Sequence, residues 1–340
     1  MILCVLELNF LWAFHQTHHS SEYMNLGTAL RQAAIQPYGS FIFYMPLAPF
    51  VAPPIAVMHF QLNLLYQFWI HTEFIGKLGP LEWILNTASH HRVHHGRNPY
   101  AIDKNYAGFL IIWDRMFGTF EAEREDEKVV YGLIHNIKTF NAFNVQFDHW
   151  KQLYKKVRMV WRSKRFHGWT RFVNLLKAIF YGPGWFPSKA QFRLGDRNDL
   201  PKVEEHVVRY GTRMPLWLSA YCIVHFLTAV FLFVYAVETV DVKGFYDVRT
   251  SGVAIACLIS FASWSFIYDR HKLSRFIESL RCILFALFFV PMFADAFRVD
   301  GKIASKFQYF YFASLGVNLV DFVIEKLGIF TTPSTNNKTD

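Results

Sequence analysis

Four apolar runs in the C-terminal half constrain the fold of this chain most. They cover residues 215–237, 251–268 and 282–297, with a weaker run at 307–323. A helix needs roughly 20 apolar residues to cross a bilayer, and a spanning segment must satisfy its own backbone hydrogen bonds. The sequence therefore predicts an all-α fold, a polytopic membrane helical bundle.

The composition supports this class. A chain of 340 residues could hold two soluble domains, but 53% of them are hydrophobic, and 36 Phe and 10 Trp suit lipid-facing surfaces and interfacial belts. The cysteines, Cys4, Cys222, Cys257 and Cys282, form no C-x-x-C pair. We expect them to be small hydrophobic residues without a redox role.

The apolar segment 41–69 is interrupted by Pro46, Pro49, Pro53 and Pro54. Its 29 residues are too few for two straight helices that each cross the membrane. The segment predicts a short membrane hairpin with Pro53-Pro54 near its tip. A hairpin returns to the side from which it entered, so the histidine clusters before and after it can meet in one site.

The stretch 151–177 carries nine Lys and Arg residues interleaved with aromatic side chains. Such a pattern suits a nucleic-acid surface or a loop on anionic lipid headgroups. The apolar segments on both sides favour membrane lipid, and we expect no nucleic-acid partner. The positive-inside rule places this stretch and both histidine clusters on the cytosolic side.

Two clusters of the form H-x-x-H-H are the strongest sign of chemistry. In a helix, positions i, i+3 and i+4 share a face, so each cluster is predicted to converge on one point. Imidazole suits iron, zinc, copper or nickel, and the lack of C-x-x-C and H-E-x-x-H patterns excludes zinc-finger and metalloprotease motifs. The cluster residues are His15, His18 and His19, then His91, His94 and His95.

Further histidines lie outside these triads. His71 ends the hairpin and is either another ligand or an interfacial residue, and six or seven imidazoles imply two ions, or one ion with spare ligands. His90 would point about 100° away from His91 and is expected to support the site. His135 and His149 either face the site or lie elsewhere. His59 is expected to pack or hydrogen-bond within the hairpin. Interfacial or loop positions are expected for His167, His206, His225 and His271.

Longer motifs resemble the fatty acid hydroxylase (sterol desaturase) superfamily. They are the stretch 9–22, the triplet 71–73 followed by 78–82, and the stretch 89–98. The resemblance is to superfamily members that cleave ether lipids. It implies a cytosolic-face histidine-rich di-metal site with two irons, held by His15, His18, His19, His71, His91, His94 and His95, and a catalytic-site role for Glu7 in orienting a ligand histidine. Arg92, Arg97 and Asn98 bind either pterin or substrate, or local carboxylates and lipid.

The resemblance also implies an activity. Such an enzyme uses O2 and tetrahydrobiopterin to hydroxylate the ether-bearing carbon of an alkylglycerol, giving a fatty aldehyde and a glycerol derivative. We expect a multi-pass protein of the endoplasmic reticulum membrane, and its oligomeric state stays open. Alternatives are a fatty acid or sterol hydroxylase or desaturase of the same superfamily, or a catalytically inactive truncated form.

The sequence departs from the superfamily at its start. Ile2 and Leu6 stand where H-R-x-x-H-E would supply two histidines, so we expect a chain that begins late in the domain. The predicted organisation is an incomplete catalytic domain at 1–145 that includes the hairpin 41–69. A basic aromatic segment at 146–212, membrane helices at 213–325 and a polar tail at 326–340 follow.

Overall fold

The structure, a computed structural model, describes residues 7–187, 192–203, 207–239 and 248–327. Within these ranges the chain is helical, and β pairing is limited to two isolated bridges, Leu85 with Leu110 and Gly96 with Tyr131. The all-α prediction is therefore confirmed. Ile2, Cys4, Leu6, His206 and the tail from residue 328 onward lie outside the described residues.

The chain forms two compact units. The first comprises Met1–Lys138 and Asn144–Tyr210, and the second comprises Thr139–Phe143 and Gly211–Asp340. The helices are α1 (Asn9–Trp12), α2 (Gln16–His19), α3 (Leu26–Leu30), α4 (Gln36–Tyr44), α5 (Pro53–Ile70), α6 (Ala88–His94), α7 (Ile112–Phe117), α8 (Ala142–Arg162), α9 (Gly168–Phe180), α10 (Leu216–Thr239), α11 (Val248–Tyr268), α12 (Ser274–Leu284), α13 (Val290–Ala296) and α14 (Gly301–Lys326). A π-helical turn, Phe285–Phe289, joins α12 to α13. The finer division into four segments stays a prediction.

The second unit contains four helical stretches long and apolar enough to cross a membrane. They are Leu216–Glu238, Ser251–Tyr268, Ser274–Ala296 and Gly301–Ile324. They coincide with the four predicted runs, which supports a multi-pass membrane protein. The third candidate span begins at Ser274, before the predicted start at residue 282. It therefore includes charged residues of α12 that have partners inside the bundle.

Those charges belong to a buried polar network. Glu278 and Arg281 are 0% and 1% exposed and form an ion pair. Tyr221 and Ser263 each donate to Glu278 at 2.5 Å. The expectation of an interfacial or loop position for His225 is wrong, since His225 is buried and its Nδ1 accepts from Arg281 at 3.1 Å. An unpaired charge among apolar helices is costly, and these partners lower the cost of burying Glu278 and Arg281.

The first unit contains the hairpin segment. α4 is followed by a 3₁₀ turn, Met45–Leu47, and α5 begins at Pro53. Proline suits the first turn of a helix because its missing N–H would be unpaired there anyway. The Tyr44 ring packs on Phe60 with centroids 6.1 Å apart. α5 ends at Ile70 and so delivers His71 to the histidine clusters.

Buried polar side chains order the irregular segment after α6. Asp114 accepts from the backbone N–H groups of Tyr106 and Ala107 at 2.7 and 2.8 Å. Asn105, 0% exposed with a φ of 50°, donates to the carbonyls of His90 and Glu121. Asparagine tolerates this left-handed conformation better than most residues. These bonds fix the backbone around α6 without a sheet.

Candidate metal centre

The ends of three helices carry the seven predicted ligands. His15 immediately precedes α2, which ends with His18 and His19, while His71 follows the last residue of α5. α6 carries the second cluster and is followed at once by His95. The residues flanking both clusters are largely buried, so helix ends from three parts of the first unit meet inside it.

The seven imidazoles form two adjacent sets. Within each set the possible ligand nitrogens all lie within 4.8 Å of one another. The first set is His18, His71, His91 and His95, and the second is His15, His19 and His94. The sets adjoin each other, since the His19 ring stacks on His95 with centroids 4.3 Å apart.

The prediction that each triad converges on a single point was wrong. The structure splits each triad between the sets, so that His18 and His19 are separated, as are His94 and His95. The reason is that successive helical residues diverge by about 100°, and the two members of an H-H pair therefore face different points. The i, i+4 pairs stay together, with His15 and His19 in one set and His91 and His95 in the other.

Hydrogen bonds to backbone carbonyls define the tautomers of three ligands. The Nδ1 atoms of His18, His71 and His94 lie 3.2, 2.6 and 3.2 Å from the carbonyl oxygens of Arg31, Gln67 and Lys104, in that order. A carbonyl oxygen can only accept, so each Nδ1 donates. The neutral rings then present Nε2 lone pairs to the cluster, as metal-ligating histidines usually do.

The nitrogen spacing in the first set fits a shared cation. The Nε2 atoms of His18 and His71 are 3.1 Å apart, and those of His71 and His91 are 2.9 Å apart. Two imidazole nitrogens about 2.1 Å from one metal ion, at right angles, are separated by about 3.0 Å. The lone pairs of His18 and His71 repel at this distance unless a cation lies between them.

Buried nitrogens without hydrogen-bond partners also indicate a bound cation. Among the described residues, nothing hydrogen-bonds to Nε2 of His19 or Nε2 of His95. Buried polar atoms of this kind require a ligand, a water or an ion. Burial lowers the pKa of His15 to about 3 and the pKa of His71 to about 4, so both imidazoles are neutral near pH 7 and able to ligate.

The other sequence candidates occupy supporting positions. His90 lies outside both sets, with its ring against Phe120 and its Nε2 4.0 Å from Glu82. Glu7 accepts from the Tyr106 hydroxyl at 3.4 Å and pairs with Arg193. The Tyr106 ring in turn lies 6.4 Å from that of His94. Glu7 therefore reaches a ligand histidine through Tyr106, and its catalytic-site role stays a prediction.

Two of the three polar residues near the second cluster pair with carboxylates. Arg92 forms a two-point ion pair with Glu123 and donates to the carbonyls of Thr72 and Ile75. Asn98 donates to Glu127 and accepts from the backbone of Val130. These partners are the carboxylates that sequence reasoning could not locate, because they lie about 30 residues further along the chain.

A cavity of about 1190 Å³ adjoins the second set. His19, His94 and His95 line it, together with Arg97 and Lys156. Arg97 has a buried Nε atom without a partner, so its guanidinium is not fully used by the fold. Both His135 and His149 also line this cavity, outside the ligand sets, and His149 lies 2.7 Å from Oδ1 of Asn9.

Lys156 is the residue of this cavity that sequence reasoning missed. It is 5% exposed, its Nζ donates to the Pro183 carbonyl at 2.7 Å, and it lies 4.5 Å from the Phe186 ring centroid. Burial lowers its pKa to about 8. Its place on the apolar face of α8, in phase with Val145 and Val160, was the available signal.

Part of the chain matches the model of a known protein family. Residues 6–119 match the family described as fatty acid hydroxylase. All seven predicted ligand histidines lie in this range. This match confirms the resemblance seen in the motifs for this part of the chain. No solved structure matches the chain.

The particular relatives are alkylglycerol monooxygenases. The one from Homo sapiens is 45% identical over 309 residues, which covers 88% of this chain and 66% of the relative. The one from Xenopus tropicalis is 48% identical over 280 residues, covering 82% and 59%. Human lathosterol oxidase is 28% identical over 112 residues, or 32% of this chain. The chain thus spans less than two thirds of the length of the alkylglycerol monooxygenases that it matches.

Proposed function

We propose that this protein is an iron-dependent membrane monooxygenase that hydroxylates the ether-bearing carbon of alkylglycerols, with O2 and tetrahydrobiopterin. The observation that carries the proposal is the division of seven buried or half-buried histidines into two adjacent ligand sets. It occurs in a chain whose relatives over 80% of its length are monooxygenases of alkylglycerols.

The ligand chemistry suits iron. An all-imidazole set without thiolates favours iron, copper, nickel or zinc, and zinc alone performs no redox chemistry. Bound iron would supply the activation of O2, while a tetrahydropterin would supply two electrons. One oxygen atom enters the C–H bond next to the ether and the other leaves as water. The product is a hemiacetal, which collapses by proton transfer to an aldehyde and an alcohol.

The cavity beside the second set would hold the substrate. Its walls combine apolar side chains such as Leu153 and Met159 with Arg97 and Lys156. The apolar part suits an alkyl chain, and the cationic groups can donate hydrogen bonds to the glycerol oxygens. His149 donates from Nε2 to Asn9, a residue of α1, and so fixes one wall of the cavity to the element that precedes the first cluster.

The proposed location rests on the candidate membrane helices and the basic stretch. Four candidate spans make a multi-pass protein. The basic segment favours the cytosolic side for the first unit, and an endoplasmic reticulum membrane is part of the proposal. Membrane lipid, the ether lipid and O2 are the proposed partners.

The test is turnover of an isotopically labelled alkylglycerol by the purified full chain in nanodiscs, with tetrahydrobiopterin, together with iron counted per chain. We expect labelled aldehyde that depends on the pterin, and up to two irons. His91→Ala should abolish both iron at the first set and turnover. His59→Ala, at an exposed histidine of α5, is the matched control and should retain them.

Other outcomes would select the alternatives. Oxidation of a sterol or free fatty acid but not of the alkylglycerol would replace the substrate class. Iron below one per chain without turnover would support the inactive form. The stronger identity to alkylglycerol monooxygenases than to lathosterol oxidase favours the ether lipid.

A further inference from the structure

Helix α9 exposes a continuous apolar stripe. Trp169, Phe172, Leu176 and Phe180 are 75%, 48%, 40% and 50% exposed. Their spacing of three and four residues places them on one face of the helix. Ala178, on the opposite face, is fully buried with Val160 and Trp185. Both sides of α9 are therefore apolar, and only one of them is covered by the first unit.

Helix α8 repeats the pattern at its exposed face. Phe147, Tyr154 and Trp161 recur at intervals of seven residues and are 45%, 64% and 62% exposed. The buried face of α8 lies elsewhere on the helix, at positions that include Leu153 and Val160. An exposed aromatic row on a helix that already has a core-facing side calls for an external apolar partner.

Positive charge borders the aromatic row. Lys155, Arg158 and Arg162 share one side of α8 at i, i+3 and i+7, and all three are exposed. Residues 142–180 contain nine Lys and Arg but a single acid, Asp148. The surface formed by α8 and α9 thus combines exposed Trp and Phe with a strong excess of positive charge.

This chemistry matches an anionic bilayer surface. Trp and Tyr favour the headgroup level, Leu and Phe enter the acyl boundary, and Lys and Arg attract anionic headgroups. Single-stranded nucleic acid would use aromatic rings for stacking, but Leu176 in the α9 stripe offers no such platform. A membrane protein also has a bilayer available as a neighbour, as the four candidate spans require.

We propose that α8 and α9 form an interfacial surface that lies in the headgroup region and binds anionic phospholipid through Lys155, Arg158 and Arg162. The inference does not depend on the reaction that the chain catalyses, because it rests on exposed side chains outside the ligand sets. Each of the three cations near the surface is expected to favour anionic lipid by about fivefold.

Photocrosslinking tests the placement. The full chain is reconstituted into nanodiscs of phosphatidylcholine with phosphatidylserine, and p-benzoylphenylalanine replaces Phe172 or Trp161. We expect lipid adducts by mass spectrometry at both positions. Asp126, exposed in the acidic stretch 121–127, is the control position and should give at most a tenth of the adduct.

Charge removal tests the lipid class. In the Phe172 crosslinking background, Lys155→Gln with Arg158→Gln and Arg162→Gln should lower the serine-lipid share of the adduct at least tenfold. Lys202→Gln with Lys272→Gln and Lys302→Gln, at exposed cations elsewhere, should leave it unchanged. Equal lipid adducts at Asp126, crosslinks to a second protein chain in place of lipid, or an unchanged lipid share after the first triple substitution would each overturn the proposal.

Discussion

The Arg92–Glu123 ion pair offers the sharpest test of how the fold holds the metal centre. Arg92 lies next to His91 on α6, with its side chain 8% exposed, and Glu123 is 18% exposed. The guanidinium bonds both carboxylate oxygens, at 2.7 and 2.6 Å. It also donates to the carbonyls of Thr72 and Ile75, at 3.0 and 2.7 Å. The pair thus ties α6 to the segment after His71.

Glu123→Gln keeps the shape of the side chain and removes its charge. Removing one partner of a buried pair costs about 3–5 kcal/mol, and partial exposure of Glu123 places this case near about 3 kcal/mol. For a domain of this size, that corresponds to a fall of about 6–12 °C in the melting temperature. Because the same guanidinium orders the backbone next to His71, we also expect metal affinity to fall about tenfold.

The assay is thermal unfolding of the metal-loaded chain in nanodiscs, combined with competition against a chelator. Glu125→Gln is the matched control two residues away. Glu125 pairs with Lys77 at the surface, with side chains 88% and 46% exposed, and solvent-exposed pairs contribute little. If both variants shift the melting temperature and the metal affinity equally, Arg92 does not hold the site together and the reasoning fails.

Three further outcomes are expected. Lys156 has a folded pKa of about 8 against about 10.4 when unfolded, so the unfolded chain binds more protons between these values. The free energy of unfolding should therefore rise from about pH 8 to about pH 10. Lys156→Met should abolish this rise. An equal rise in the variant would assign the effect to another group. Asn105→Ala removes bonds to His90 and Glu121 in a left-handed turn, and denaturant titration should show a loss of about 3–4 kcal/mol; a loss below about 1 kcal/mol would contradict this. His19→Ala should lower iron from two ions per chain to one by elemental analysis, because it leaves the four-histidine set intact, and loss of both ions would show that the sets bind as a unit.

The candidate metal ligands could be selected from the sequence because their spacing is local. The two H-x-x-H-H motifs lie at helix ends, and helical geometry alone brings residues four apart to one side. The sequence left open whether His71 is a ligand, because its approach to His18 depends on the path of α5. Partition of the ligands into sets of four and three likewise required three elements to be placed together.

Supporting contacts were beyond sequence reasoning for a related reason. Arg92 and Asn98 each find a carboxylate about 30 residues away, and no local pattern specifies such a partner. The buried Lys156 escaped notice among eight other cations of the basic stretch, because side-chain burial depends on what packs against α8.

By itself, the sequence determined the helical class, the four apolar segments and the identity of the candidate ligands, since these follow from hydrophobic length and helical periodicity. Only the tertiary structure decided which charges are neutralised and where. Glu278 and Arg281 shortened the third run in the sequence, yet in the folded bundle they pair with each other and with His225 inside it. A charged residue in a sequence argues against burial. The fold supplies the partner that allows the charge to be buried.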